Sequence, residues 1–293
     1  MKKPSNYLRD FFIALGISLI FAASYSTLAI KKYQAHQTRG DLTAYAQGLW
    51  NTLHGNFMAS TFNYSVHNFW DGHFREIKPS NSNIFGIHFN PIILLLLPFY
   101  AIYPSPLTLL VLQALVLAGS SIAIFIVARS ILQNKFIAFI IQFSYLIHLS
   151  LVSASLSEFH AYPLSVLFSS LLILFSRQKN NWPYYITLTL LLFVQENAAI
   201  PALFFGLYLI LSKDSRRRGL LTSFLGIAYL LLSTKLIIPL FSPTGSYLFE
   251  TAYGSPLGNS YLEMIKNTLI NPQLFITTIL SSTNLVYLGK LVL

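Results

Sequence analysis

The chain has 293 residues, of which 54% are hydrophobic and only 10% charged, and its mean hydropathy is +0.59. This balance excludes an ordinary soluble domain and predicts an all-α, polytopic integral membrane protein. The net charge of +10 does not indicate a nucleic-acid partner, because Lys and Arg occur in short clusters between apolar runs. The lack of cysteine excludes disulfide bonds and thiolate metal sites.

The N-terminal region predicts an uncleaved first membrane helix. Lys2, Lys3 and Arg9 precede an apolar run over residues 11–30, which is about long enough to cross a bilayer. A cleavable signal peptide would have a shorter apolar core. We therefore expect a multi-pass protein of the cell membrane with its N-terminus in the cytoplasm.

Residues 31–106 are predicted to form a large outer loop that carries interfacial helices. Within it, residues 41–54 place apolar side chains at helical spacing: Leu42, Tyr45, Ala46, Leu49 and Leu53. This spacing predicts an amphipathic helix on the membrane surface. Asp41 begins the helix, so its carboxylate is either an N-cap or part of a site. The charged residues that follow are interpreted as a solvated loop: Asp71, His73, Arg75, Glu76 and Lys78.

The other apolar runs predict about eight transmembrane helices in one domain, residues 1–293. After the first run they cover residues 107–128, 136–156, 162–175, 182–194, 198–211, 220–241 and 272–293. Three of these runs are shorter than the roughly 17 residues that a normal span needs, which indicates local thinning of the bilayer or a helix broken near Glu196. The apolar end of the chain, residues 285–293, suggests that the last helix is cut short.

The run over residues 91–103 decides the topology. If it spanned the membrane, the basic clusters at residues 129–135, 177–179 and 213–218 would all lie outside. Lys and Arg prefer the cytoplasmic side in short loops, and this run is too short for an untilted span. It is therefore predicted to lie in the interface or to re-enter.

This topology gathers ionisable residues from three loops at the outer face. They are Asp41, His88, Glu158, His160 and Glu196. Because an ionised carboxylate at membrane depth costs at least about 2.5 kcal/mol, such acids indicate a functional site. Lys235, a cation in the run over residues 220–241, contacts either a ligand or the lipid headgroups. His148 is interpreted as a packing residue inside a helix.

Several ordered motifs resemble a known family. They are Gly40-Asp41 through His54-Gly55, His88-Phe-Asn-Pro91, Glu158-Phe-His160 and Gln195-Glu196-Asn197-Ala-Ala. In these motifs the chain is similar to a family of prokaryotic membrane proteins of unknown function, domain of unknown function 2079. Gln195 and Asn197 depart from the Lys and Asp that flank the acid in that family's pattern.

In architecture this family resembles the C-type glycosyltransferases, integral-membrane enzymes that use lipid-phosphate sugars. The resemblance implies transfer of a sugar from a polyprenyl-phosphate donor to an acceptor on the outer face. It implies catalytic roles for Asp41, Glu158, His160 and Glu196, with Asp41 as general base. It also implies substrate-binding roles for His88, Lys235, Gln195 and Asn197, of which His88 or Lys235 would meet the phosphate charge.

Other interpretations remain open from the residues alone. Glu158 and His160 could cap the helix that follows them, or bind a divalent cation together with Asp41 and Glu196. Intramembrane acids and a broken helix would also serve a transporter. A non-catalytic scaffold on the same fold is the third alternative.

Overall fold

The structure, a computed structural model, describes residues 5–37, 40–61, 83–212, 215–248, 257–258, 261–282, 284–286 and 289. These residues form helices joined by short turns. The α-helices are, in chain order, α1 (Ser5–Gln34), α2 (Gly40–Leu53), α3 (Leu97–Ile102), α4 (Pro106–Leu132), α5 (Lys135–Ile147), α6 (Leu149–Leu156), α7 (Ser165–Ser176), α8 (Trp182–Val194), α9 (Ala199–Leu211), α10 (Arg216–Leu232), α11 (Ile238–Phe241), α12 (Tyr261–Ile270) and α13 (Pro272–Ile279).

The helices confirm the prediction of an all-α membrane protein. Three helical stretches among the described residues are long and apolar enough to cross a bilayer: Tyr7–Gln34, Pro106–Leu132 and Arg216–Phe241. The pair α5 and α6 qualifies as a fourth if its bend of 47° lies within one span. Large apolar side chains such as Ile20, Phe224 and Leu240 are exposed, as contact with lipid requires. The helices α7, α8 and α9 are shorter than a normal span, so the count of eight transmembrane helices stays a prediction.

Buried polar side chains join α1, α4 and α5. The hydroxyls of Ser18 and Ser121 lie 2.6 Å apart, and Gln142 Nε2 donates to the Ala14 carbonyl at 2.9 Å. Polar groups away from water need such partners, so these bonds fix how the three helices pack. Ser120 and Ser121 of α4 are fully buried, whereas a Cβ built on Gly119 beside them would have nothing within 4 Å of it.

The connection between α5 and α6 corrects the interpretation of His148. This residue is exposed and extended rather than helical, and its Nδ1 accepts from Ser150 N–H at the start of α6. The break also leaves the Leu146 carbonyl outside the helical ladder, where the Tyr25 hydroxyl of α1 donates to it. A tertiary hydrogen bond therefore stabilises a break that no Gly or Pro marks.

The segment over residues 91–103 is a short, two-part helix. A 3-10 helix, Pro91–Leu96, continues directly into α3. At about 2.0 Å per residue in the first part and 1.5 Å in the second, the two parts together extend about 21 Å. This length is below the roughly 30 Å of a bilayer core, as are the lengths of α7, α8 and α9, so that the segment does not span stays a prediction.

The helices α7, α8 and α10 run between two chemically different ends of the molecule. α7 begins after His160 and ends at Ser176, just before Arg177, and α8 returns from there to Gln195 and Glu196. α10 begins at Arg216, and the chain beyond α11 returns to Glu196 through Tyr247. Acids thus collect at one end of these helices, and cations collect at the other.

The tightest helix pair is α9 with α10. A Cβ built on Gly219 would lie 2.6 Å from the Gly206 carbonyl oxygen, and one on Gly206 would lie 2.4 Å from Ser223 Oγ. Only glycine allows the two backbones to approach this closely. This glycine pair was not predicted from the sequence.

We predict that Gly219→Ala lowers the melting temperature of the detergent-purified protein, because its methyl group would push α9 and α10 apart. Gly119→Ala is the matched control, since it adds the same methyl group within a helix at a site with nothing within 4 Å. The control should be neutral or more stable, by up to about 1 kcal/mol, because alanine favours helix. Equal melting temperatures for the two variants would contradict the close packing.

Candidate functional site

Helix α2 supplies the first part of the site. Its buried face includes Leu42, Tyr45 and Leu49, and the Tyr100 hydroxyl of α3 donates to the Ala46 carbonyl at 3.1 Å. The predicted amphipathic helix is therefore confirmed, while its position on the membrane surface stays a prediction. Leu53, which was assigned to the apolar face, is exposed instead.

The N-terminus of α2 is capped from a distant part of the chain. Glu158 Oε2 accepts from the backbone N–H groups of Asp41 at 2.9 Å and Leu42 at 3.3 Å. A carboxylate is favourable here because the amides of a first helical turn carry partial positive charge. Glu158 thus caps α2 and not the helix that follows it. Asp41 lies inside the first turn, and the interpretation of its side chain as the N-cap is wrong.

Asp41, Glu158 and His160 form a group that we call the acidic cluster. Asp41 Oδ2 lies 3.2 Å from His160 Nδ1, and His160 Nε2 lies 4.0 Å from Glu158 Oε1. The side chains of Asp41 and His160 are 39% and 38% exposed, whereas that of Glu158 is only 9% exposed. Asp41 and His160 are therefore the accessible members, whereas Glu158 holds the first turn of α2.

Gln113 of α4 holds the chain that carries Glu158 and His160. Its Oε1 accepts from the His160 N–H at 2.8 Å, and its Nε2 donates to the Ala154 carbonyl at 2.8 Å. Gln113 is almost fully buried. Sequence reasoning missed this residue, although a lone amide in an apolar run is a signal for a buried polar contact.

Glu196 is the centre of a second group, the Glu196 cluster, with His88, Gln195 and Tyr247. The Glu196 side chain is fully buried and accepts from His88 Nδ1 at 2.6 Å, from Phe89 N–H at 3.0 Å and from the Tyr247 hydroxyl at 3.0 Å. Gln195 Nε2 lies 3.1 Å from the same His88 nitrogen. Three donors on one buried carboxylate offset much of the free energy lost when it leaves water.

Tyr45 and Asn90 lie between the two clusters. Asn90 Nδ2 donates to the Tyr45 hydroxyl at 2.8 Å, and the Tyr45 ring packs edge-on against Phe159. Burial raises the pKa of Tyr45, and the carboxylates of Asp41 and Glu196 raise it further. Tyr45 therefore stays a neutral hydrogen-bonding group at physiological pH. The two clusters adjoin, but no single side chain contacts both carboxylate groups in the described part of the chain.

The remaining predicted residues have less defined roles. Lys235 is exposed in a π-helical turn, Ser233–Ile237, between α10 and α11. Asn197 is half-buried in a 3-10 turn, Glu196–Ala198, that precedes α9. The predicted solvated loop with Asp71, His73, Arg75, Glu76 and Lys78 lies outside the described residues. Tyr247 and Asn90 were not identified from sequence, because nothing in their local pattern marks a partner so far along the chain.

The three side chains of the acidic cluster also fit a divalent cation. One ligand atom from each of Asp41, Glu158 and His160 lies within 4.8 Å of the others. Glu158 Oε2 is occupied by the amides of α2, which leaves Oε1 for an ion. One imidazole with two carboxylates suits several divalent metals. Glu196, which the sequence analysis grouped with these residues, lies in the other cluster.

We predict that Glu196→Ala strongly lowers the melting temperature, because it strands the donors of His88, Phe89 and Tyr247 in a buried site. Each stranded group costs about 1–3 kcal/mol. Tyr247→Phe removes one of the three bonds and should have a smaller effect, about 1 kcal/mol. Thermal unfolding in detergent checks this order, and a Glu196→Ala variant as stable as wild type would refute the assigned role of Glu196.

Comparison with known proteins gives a family but no characterised relative. Residues 34–293 match the family described as "Predicted membrane protein (DUF2079)". No curated protein and no solved structure matches the chain. The match covers both clusters and every helix from α2 onward, and it confirms the family resemblance of the motifs around Asp41, Glu158 and Glu196. The chain therefore belongs to this family of predicted membrane proteins, whose function is unknown.

Proposed function

We propose that the protein is a membrane-embedded transferase that moves a sugar from a polyprenyl-phosphate donor to an acceptor hydroxyl, with Asp41 as the general base. The observation that carries the proposal is the division of roles in the acidic cluster. Glu158 is committed to the amides of α2, whereas the carboxylate of Asp41 is accessible and lies 3.2 Å from His160 Nδ1. An accessible carboxylate oriented by a neighbour is what proton abstraction needs.

The transfer requires little else from the protein. The acceptor oxygen forms a bond to the anomeric carbon of the sugar while the bond from that carbon to the phosphate oxygen breaks. The proton of the acceptor hydroxyl passes to Asp41, and the bonding electrons leave with the polyprenyl phosphate. His160, at 3.2 Å from Asp41, orients the carboxylate. A lipid-linked donor is also compatible with a chain that exposes many large apolar side chains, because its polyprenyl chain can lie against them.

The phosphate that leaves needs a positive or hydrogen-bonding partner. His88 is a candidate, because Glu196 fixes its ring and its side chain is 25% exposed. Lys235 is the second candidate, since it is a cation on an exposed π-helical turn, a feature often found at functional sites. Asn90 Oδ1, a buried oxygen without a hydrogen-bond partner among the described residues, is a further polar group beside Tyr45.

A divalent cation in the acidic cluster would give the same residues a different role. An ion held by Asp41, Glu158 and His160 would supply positive charge for the phosphate and would withdraw Asp41 from proton transfer. Treatment with EDTA separates the two mechanisms. Activity that survives EDTA supports the general base, whereas activity that is lost and then restored by Mg²⁺ or Mn²⁺ supports the cation.

We predict that Asp41→Asn reduces transfer by about two to four orders of magnitude, the usual contribution of a positioned base. Folding should be unaffected, because Asn has the same shape and the cap of α2 comes from Glu158. The measurement is the release of radiolabelled sugar from a short-chain polyprenyl-phosphate hexose by purified protein, with melting temperature as the check on folding.

The control is Glu263→Gln, which removes one negative charge from an exposed acid of α12 outside both clusters. This variant should transfer sugar at the wild-type rate. Full activity in Asp41→Asn would contradict the proposal and would favour a transporter or a scaffold, for which the carboxylate is not a base.

A further inference from the structure

A cationic cavity lies at the end of the helices opposite the acidic cluster. It occupies about 590 Å³ between the α7–α8 turn and the first turn of α10. Its polar lining includes Arg177, Lys179, Asn181, Ser215, Arg217 and Arg218. Four of these side chains are cations, and none of the described residues that line the cavity is an acid.

Arg218 builds the cavity wall. Its guanidinium donates to Asn181 Oδ1 and to the carbonyls of Ser176 and Gln178, each at 2.7 Å. It also lies over the Tyr184 ring, 5.5 Å from the centroid. These contacts tie the α7–α8 turn to α10, so Arg218 fixes the shape of the cavity and is already committed.

Three other cations line the cavity: Arg177, Lys179 and Arg217. Across the part of the chain that the structure describes, none of the three forms a salt bridge with a carboxylate. Arg217 also lies in the first turn of α10, which contains no acid and whose Ser215 N-cap makes no side-chain hydrogen bond. Cations at a helix N-terminus oppose the helix dipole, and an anion placed there would relieve that repulsion.

Membrane topology alone does not account for this arrangement. The preference of Lys and Arg for the cytoplasmic side explains why cations lie at this end. It does not explain why they surround one cavity whose shape is fixed by the hydrogen bonds of Arg218. The cavity also adjoins apolar surface, because Leu221 lines it and Phe224, one turn further along α10, is exposed.

We propose that this cavity binds a phosphate group, with Arg177, Lys179 and Arg217 as its ligands. Guanidinium groups bind phosphate oxygens in pairs, and a cavity of this volume admits a phosphate with an attached glycerol. The phosphate belongs either to an anionic phospholipid, whose acyl chains would lie along α10, or to a free phosphate ion. The site is independent of the proposed transferase activity, because it lies at the other end of α7 and α8.

The test measures binding to the full chain, purified in a neutral detergent, by native mass spectrometry. The probes are dioctanoyl phosphatidylglycerol, zwitterionic dioctanoyl phosphatidylcholine and inorganic phosphate. Arg217→Gln is compared with Arg216→Gln, which removes the same charge from the adjacent residue, also exposed, that does not line the cavity. Melting temperatures should match the wild type, because neither arginine holds the α7–α8 turn.

Wild-type protein should bind phosphatidylglycerol more tightly than phosphatidylcholine. Arg217→Gln should weaken the Kd by about tenfold or more, the effect of losing one charged hydrogen bond. Arg216→Gln should change the Kd less than about threefold, as for an exposed charge that acts only through solvent. Binding of phosphatidylglycerol without inorganic phosphate assigns the site to a lipid headgroup, and Arg217-dependent binding of both assigns it to phosphate itself.

Three results would overturn the proposal. They are equal binding of the anionic and zwitterionic lipids, equal weakening by the Arg216 and Arg217 substitutions, and no binding of either phosphate probe.

Discussion

The contact between the Glu158 carboxylate and the first turn of α2 determines the arrangement of the site. It joins residues that are 117 positions apart, and it gives the amides of Asp41 and Leu42 an acceptor that their own helix does not supply. Because Glu158 caps α2, the Asp41 carboxylate does not have to accept hydrogen bonds from the amides of its own helix. It can stand beside His160 at the surface, where a carboxylate is accessible to a reacting group.

The same constraint shapes the rest of the molecule. A mostly apolar chain can hold charged groups only where partners or water satisfy them, and the ends of helices provide both. Glu158 uses backbone amides, Glu196 uses a ring of three donors, and Arg218 uses the carbonyls of a turn. The helices α7 and α8 carry few ionisable groups between these ends. The result is a bundle with an acid-rich end and a cation-rich end, each with its own chemistry.

Much of the fold follows from local pattern. The apolar run over residues 182–194 coincides with α8, and the run over residues 107–128 lies inside α4, because helix signals and Pro or Asn at the boundaries act over a few residues. The acids of the site could also be identified from the sequence, since carboxylates beside apolar runs are rare. What the sequence did not show was which residue each acid contacts. Capping of its own following helix was one alternative for Glu158, and Glu158 caps α2 instead.

The other differences have the same physical origin. His148 interrupts a continuous apolar run, and the Leu146 carbonyl that this break leaves unpaired in its helix accepts a hydrogen bond from the Tyr25 hydroxyl of α1. Tyr247 reaches Glu196 across 51 residues, and Gln113 reaches His160 across 47. The glycines of α9 and α10 matter only as a facing pair. The role of each of these residues depends on a contact with a distant segment. The sequence pattern within one segment does not predict which distant residue it contacts.

The central claim is that the acidic cluster and the cationic cavity lie on opposite faces of the membrane. Single cysteines test it directly, because the chain has none of its own. Ser157 adjoins Glu158, Ser246 adjoins Tyr247, and Ser215 lines the cationic cavity. In intact cells a membrane-impermeant maleimide should label Ser157→Cys and Ser246→Cys, and it should label Ser215→Cys only after permeabilisation. Labelling of all three from the same side would contradict the account.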